Sequence, residues 1–232
     1  MQNWRKFWNE YPATAGEQEF LRQVGHTVAG LPYSPQQFEA MVAGIRAALQ
    51  LSPEDVVLDV CCGNGVITKE LAKHCGRILG VDFSVPLIAA ARKFHGGTNI
   101  SFQTADALEI GSATLDDPGP FSRVLIYAAL QHFAPEDLPV LLNGFLRHAD
   151  DMPVILLGGV LDAGRKQLYL DTPEKLAMYE TYRKEGRDRL GTWWCKDHIR
   201  DVCNGLGLGC EIDDSSEGRP GGHYRFDARI TG

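Results

Sequence analysis

Apolar positions change their period several times along the 232-residue chain, and each change marks an element. Val56-Val57-Leu58-Asp59-Val60 is an apolar run broken by one acid, the pattern of a strand covered on both faces. Cys61-Cys62-Gly63-Asn64-Gly65 follows, then Val66-Ile67-Thr68-Lys69-Glu70-Leu71, which reads as the first turns of a helix. Gly63 and Gly65 lack a Cβ, so the backbone can turn sharply there and approach a ligand closely. The free N–H groups of the next helix point back over that turn. Such a unit suits a nucleotide-like molecule.

Further strands are predicted at Arg77–Asp82, Ile100–Thr104, Val124–Tyr127 and Val154–Leu157. Between them lie a helix capped by Ser84, carrying Leu87, Ile88, Ala91 and Phe94, and another with Leu138, Leu141, Leu142, Phe145 and Leu146 on one face. A turn-rich span with Gly111, Pro118, Gly119 and Pro120 precedes the fourth strand. Strands alternating with helices predict an α/β fold, a parallel sheet with helices on both faces. Residues 160–194 break the rhythm: Thr172-Pro173-Glu174 caps a polar helix containing Tyr179 and Tyr182, and Trp193-Trp194 follows. A helix with Ile199, Val202, Cys203 and Leu206 inward then leads to strands near 208–212 and 223–230. The last alternates Tyr224, Phe226, Ala228 and Ile230 against Arg225, Asp227 and Arg229, which predicts an antiparallel hairpin at a sheet edge, with a mobile turn over 218–222.

The first fifty residues read as three helices. Trp4, Phe7, Trp8 and Tyr11 share one face before Pro12. Phe20, Leu21, Val24 and Val28 define a second helix. Ser34-Pro35-Gln36-Gln37 is a capping box that opens a third, with Phe38, Met41, Val42, Ile45 and Leu49 inward. The expected division is therefore a helical cap over 1–51, a ligand-binding core over 52–159, a lid insertion over 160–194, and a closing helix and hairpin over 195–232.

A formal charge of −7 provides no broad cationic field, so nucleic acid is a poor first guess as partner. Trp4, Arg5, Lys6, Asn9 and Glu10 interrupt any apolar run of a signal peptide, and no stretch approaches the roughly 18 apolar residues of a membrane span. The cytoplasm is the expected compartment. The six cysteines form no C-x-x-C pair and have no histidine cluster at zinc spacing, so no metal site is expected and they read as small packing residues.

Asp59, Cys61, Gly63 and Gly65 resemble motif I of the class I S-adenosylmethionine-dependent methyltransferases, an apolar run, an acid and a G-x-G-x-G core, with Cys61 in place of the first glycine. The order of parts is similar over nearly the whole chain, most of all to small-molecule enzymes related to ubiquinone and menaquinone methyltransferases. The resemblance implies a Rossmann-like seven-stranded, mostly parallel sheet with an antiparallel last strand, N-terminal helices and a helical insertion as lid. It implies S-adenosylmethionine as cofactor. Asp82, about 20 residues beyond the glycines, would then accept both ribose hydroxyls, and Phe83 would lie against the adenine. Asp106 would accept the adenine amino group while the Ala107 N–H meets a ring nitrogen. Gly63 and Gly65 would border the methionine moiety. Asp59 would orient the glycine loop or reach the ligand ammonium through water. Cys61, Tyr11, Tyr33 and Tyr127 complete the expected cofactor set.

Methyl transfer from a sulfonium depends mainly on alignment. A base is needed for an alcohol acceptor and much less for an amine or activated carbon. His132, after the fourth strand, is the best-placed base, with His223, Tyr33 and Tyr11 behind it. No Asp/Asn-Pro-Pro-Tyr element follows that strand and no Pro-Cys nucleophile occurs, which removes two DNA-methylating classes; Cys195, Cys203 and Cys210 show no convergence for an arsenite enzyme. The expected reaction is methylation of a small organic acceptor, a metabolite, sugar or natural-product intermediate, at oxygen by preference, with nitrogen and carbon open. The alternatives are a nicotinamide oxidoreductase, disfavoured by the missing third glycine and Tyr-x-x-x-Lys pair, and a non-catalytic S-adenosylmethionine-binding protein.

Overall fold

The organising strand, β1 (Val56–Val60), lies inside a seven-stranded sheet, between β2 (Arg77–Asp82) and β4 (Phe121–Tyr127). Beyond β2 lies β3 (Ile100–Thr104); beyond β4 come β5 (Ala149–Leu161), β7 (Arg225–Thr231) and β6 (Gly209–Asp213), giving the order 3-2-1-4-5-7-6. This computed structural model describes residues 3–116, 119–214 and 219–232, so Pro118 and Gly218 of the expected turns lie outside the described residues. β1 through β5 pair in parallel, and β7 runs antiparallel to both its neighbours. The expected antiparallel hairpin forms at the sheet edge, with β6 outermost and β7 between β5 and β6, so the wetter face expected of β7 is largely covered. The charged side chains of β7 are consequently paired or capped. Asp227 accepts the Gly159 N–H and pairs with Arg219, while Arg229 donates to the Ala48 carbonyl.

The period of two along the strands divides the core into two layers. Leu58, Val60, Val124 and Ile126 face α6 (Leu138–Leu146) and α9 (Lys196–Gly205). Val57, Leu125 and Leu156 face α3 (Pro35–Leu49) and α4 (Val66–Leu71). The capping box of α3 forms as expected, Ser34 accepting from the Gln37 N–H and Gln37 from the Ser34 N–H. That cap contributes about 1 kcal/mol. Each fully buried residue such as Ile45 or Leu49 contributes roughly 1.5–3 kcal/mol, so the apolar face outweighs the cap in holding the helix.

The N-terminal region departs from three helices. α1 (Trp4–Glu10) forms and passes into a 3-10 turn at Tyr11–Thr14, but α2 spans only Phe20–Gln23. Gly25, with φ of +73°, turns the chain, and Thr27–Val28 pairs with Leu31–Pro32 in a small hairpin closed by Ala29 and Gly30, both at positive φ. Val28 is therefore an exposed hairpin residue. In the insertion, α7 (Lys166–Tyr169) and α8 (Pro173–Lys184) follow a β5 that runs on to Leu161. Among the described residues no helix is long and apolar enough to cross a membrane.

Gly65 and Gly30 have similar dihedrals, φ of +77° and +78°, in different surroundings. A Cβ on Gly65 would lie 2.5 Å from Phe102 Cζ and 3.2 Å from Ala91 Cβ, whereas nothing lies within 4 Å of one on Gly30. Gly30→Ala is expected to cost only backbone strain, about 1–2 kcal/mol. Gly65→Ala adds overlap with a core ring, about 1–3 kcal/mol more. Urea denaturation of both variants checks the order, and equal losses would contradict this packing.

Candidate active site

The loops after β1, β2 and β4 meet at the carboxyl end of the sheet and enclose a cavity. Its wall includes Asp59, Cys61 and Gly63 from the first, Asp82, Phe83 and Leu87 from the second, and Tyr127, Ala128 and His132 from the third. The Asp82 carboxylate fixes two of these loops, accepting the Gly63 N–H at 3.0 Å and the Ser84 N–H at 2.8 Å. Burial raises it from the usual 3.8 to about 6 in spite of both hydrogen bonds. Asp59 accepts the Thr68 hydroxyl at 2.6 Å, which ties β1 to α4, and burial raises it to about 7. Cys61 holds φ of +59°, the left-handed conformation that glycine favours, so the substitution keeps the turn at the cost of local strain. Burial first, then the neighbouring carboxylates, push the Cys61 and Cys62 thiols well up, which leaves them unreactive.

Helix α1 covers this cavity. The Ser84 hydroxyl donates to the Trp8 carbonyl at 2.9 Å, and the Trp8 ring forms part of the wall. Trp8 Nε1 donates to His132 Nε2 at 3.2 Å. Indole N–H is only a donor, so Nε2 is the unprotonated nitrogen and the proton sits on Nδ1, which is buried without a partner among the described residues. Trp4 and Trp8 rings flank the imidazole, with centroids at 4.2 and 5.4 Å, and burial followed by the Arg225 charge lowers it to about 3. The base expected at His132 therefore has its lone pair engaged in this arrangement.

A second chamber opens from the first past Val24, His26, Tyr127 and His132, which border both. Tyr11, Tyr33, Tyr169, Arg189 and Arg225 line its outer part. Burial, then the Arg225 charge, lowers His26 to about 4, and neither ring nitrogen has a hydrogen-bond partner among the described residues. The end of the insertion is held against the β4 loop: Thr192 N–H donates to the Gln131 carbonyl at 2.8 Å and its hydroxyl to Phe133 at 2.7 Å.

Residues 57–151 match a family described as a methyltransferase domain. An uncharacterized methyltransferase of Schizosaccharomyces pombe is 34% identical over 101 residues, 43% of this chain and 37% of the relative. A protein-L-isoaspartate O-methyltransferase of Koribacter versatilis is 29% identical over 150 residues, 63% of this chain. The chain thus spans only 37% and 57% of these two curated relatives. A solved structure of magnesium protoporphyrin IX methyltransferase from Synechocystis with bound SAH superposes with a TM-score of 0.58 at 16% identity, covering 98% of this chain and 96% of that one. Residues 57–151 thus match a methyltransferase domain, and the superposition shows a shared fold.

Within that domain, the expected cofactor residues Asp59, Cys61, Gly63, Asp82, Phe83 and Tyr127 share the inner cavity, while Tyr11 and Tyr33 border the outer chamber. Gly65, Asp106 and Ala107 border neither. Gly65 faces Phe102 and Ala91, and Ala107 is buried in the core. Asp106 caps the turn at Leu108 with one oxygen and pairs with Arg5 through the other, and Arg5 lies 5.4 Å from the Phe83 ring centre. His223 sits farther out, at the chamber mouth. Sequence reasoning missed Trp8 as a wall residue, His26, Arg189 and Arg225. His26 was hidden by extending the second helix through Val28, although Gly25 marks where that helix must stop. Among the described residues no cluster of His, Cys, Asp or Glu is placed to hold a metal, and of the three late cysteines the Cys203 and Cys210 thiols are near enough to shift each other's ionisation, Cys203 upward and Cys210 downward.

Asp59 gives a pH signature. Its pKa when folded, about 7, exceeds the usual 3.8, so the folded state binds the proton more tightly. Its contribution to stability is present below about pH 4, declines as pH rises through 4–7, and is lost above. Asp59→Asn keeps an acceptor for Thr68 and removes the ionisation. At pH 8 the variant should be more stable by on the order of 2–4 kcal/mol, with the gain vanishing at pH 4. Denaturant titrations at both pH values check this; a variant less stable than wild type at pH 8 would contradict it.

Proposed function

We propose that the protein binds S-adenosylmethionine in the inner cavity and methylates a small organic acceptor held in the outer chamber. The observation that carries this is the Asp82 carboxylate, set in the wall of a cavity otherwise dominated by apolar groups such as Val66, Ile67, Phe83 and Leu87. Its unused lone pairs suit two ribose hydroxyls, and the apolar wall suits the rest of a nucleoside. Phe83 offers a ring for the adenine, with Arg5 of α1 lying over it; Asp106 would reach that base only after Arg5 releases it. Bound S-adenosylmethionine supplies an electrophilic methyl group on a sulfonium, so the protein's task is mainly alignment and exclusion of water. Trp8 and the aromatic face of α1 perform the exclusion, and with residues 160–194 they act as the lid.

His26 takes the role of base for a hydroxyl acceptor. It is neutral at pH 7, borders both chambers and has no ring hydrogen bond among the described residues, whereas His132 positions Trp8. The enclosed chamber favours a small molecule over a nucleic acid or protein surface.

Calorimetry with S-adenosylmethionine and NAD tests the cofactor. S-adenosylmethionine should bind and NAD should not. Asp82→Ala should weaken binding by about one to two decades through loss of charge-assisted hydrogen bonds. Unchanged affinity in a folded variant would refute the Asp82 assignment. In a methyl-transfer assay with hydroxyl acceptors, His26→Ala should lower turnover by about 10²–10⁴-fold without changing cofactor affinity. Near-normal turnover would exclude His26 as base.

A further inference from the structure

The charged lining of the outer chamber is of one sign. Arg189 and Arg225 border it, and among the described residues no Asp or Glu does. Arg225 donates to the Gly159 carbonyl and lies 5.5 Å from the Tyr224 ring centre, and among the described residues it has no carboxylate partner. Among the described residues Arg189 has ring contacts alone, 5.7 Å to the Phe7 centre and 5.9 Å to that of Tyr11. Acids of the neighbouring loops are engaged elsewhere: Asp227 with the Gly159 N–H and Arg219, Asp188 with the Leu190 N–H at 2.9 Å. This occurs in a chain whose 30 carboxylates outnumber its 23 Lys and Arg. Arg189 is exposed and Arg225 half-buried, so water solvates them in the free chain, and an anion entering the chamber would meet two guanidiniums without displacing a described carboxylate. Arg225 is the charge that acts on His26 and His132, so its field reaches the junction of the two chambers.

The arrangement also sets an orientation. The arginines border the outer chamber and not the inner cavity, while His26, Tyr127 and His132 border both. A molecule anchored by the arginines therefore presents its opposite end to the inner cavity. The rings of Tyr11, Tyr33 and Tyr169 line the same chamber as the arginines and favour a flat body. We propose that the acceptor is a small aromatic oxyacid, its anionic group held by Arg189 and Arg225 and its hydroxyl directed toward His26. This rests on the methyl-transfer reading for the identity of the acceptor, but the anion site itself does not. Guanidinium pairs match carboxylate and phospho oxygens alike.

Calorimetry on the full chain tests it, with and without S-adenosylhomocysteine, using 4-hydroxybenzoate, 4-hydroxyphenylphosphonate and the neutral 4-hydroxybenzamide. At least one acid should bind about tenfold or more tightly than the amide, and the tighter acid tells carboxylate from phosphonate. Arg189→Gln should reduce that preference about tenfold, and adding Arg225→Gln should abolish it. Because Arg189 is exposed and has ring contacts alone among the described residues, its variant decides the matter even if the double variant fails to fold. Equal binding of acids and amide, a preference left undiminished by Arg189→Gln, or no binding of any acid at millimolar concentration overturns the proposal. If S-adenosylhomocysteine fails to bind while the acid preference persists, the methyl-transfer reading falls and the anion site stands.

Discussion

Two hydrogen bonds to one buried carboxylate hold the architecture of the site. Asp82 takes the Gly63 N–H with one oxygen and the Ser84 N–H with the other, so the turns after β1 and β2 are fixed against each other. Ser84 then passes its own hydroxyl to the Trp8 carbonyl, which brings α1 onto the same point. A sheet edge, a glycine turn and a covering helix thus share a chain of three contacts. Burying this acid costs free energy, as its pKa of about 6 records, and the cavity is the return.

The covering helix solves a second problem. Trp4, Phe7, Trp8 and Tyr11 have no place in the alternating α/β core, and they stack on one another, on His132 and beneath Arg189. Desolvation beneath this layer lowers both His26 and His132, so neither carries charge at neutral pH, and the cations facing the chamber are arginines. Division of labour follows from hydrogen bonding: His132 is committed to Trp8, His26 is not.

Local signals were legible in the sequence. β2 and β3 run over the expected residues, Arg77–Asp82 and Ile100–Thr104, because apolar runs bounded by polar turns need no distant information. The Ser34 capping box and the Ser84 cap form for the same reason. What the sequence alone could not show depends on contacts far apart in the chain. Asp106 is occupied by Arg5, 101 residues away, and Gly65 is required by Phe102. The polar positions of β7 resemble an exposed edge, yet Arg219 and the Gly159 N–H satisfy Asp227 inside the sheet. Cys61 could be recognised as a missing glycine, but its positive φ, which preserves the turn, could only be seen in the fold.

The central claim is that the space bounded by Asp82, Phe83 and Gly63 beneath Trp8 is a nucleoside site. A crystal structure of the full chain grown with S-adenosylhomocysteine tests it most directly. The account predicts both ribose hydroxyls within hydrogen-bond distance of the Asp82 carboxylate, the adenine against Phe83, and Arg5 drawn away from Asp106. Ligand density elsewhere on the protein, or a ribose turned away from Asp82, would contradict it.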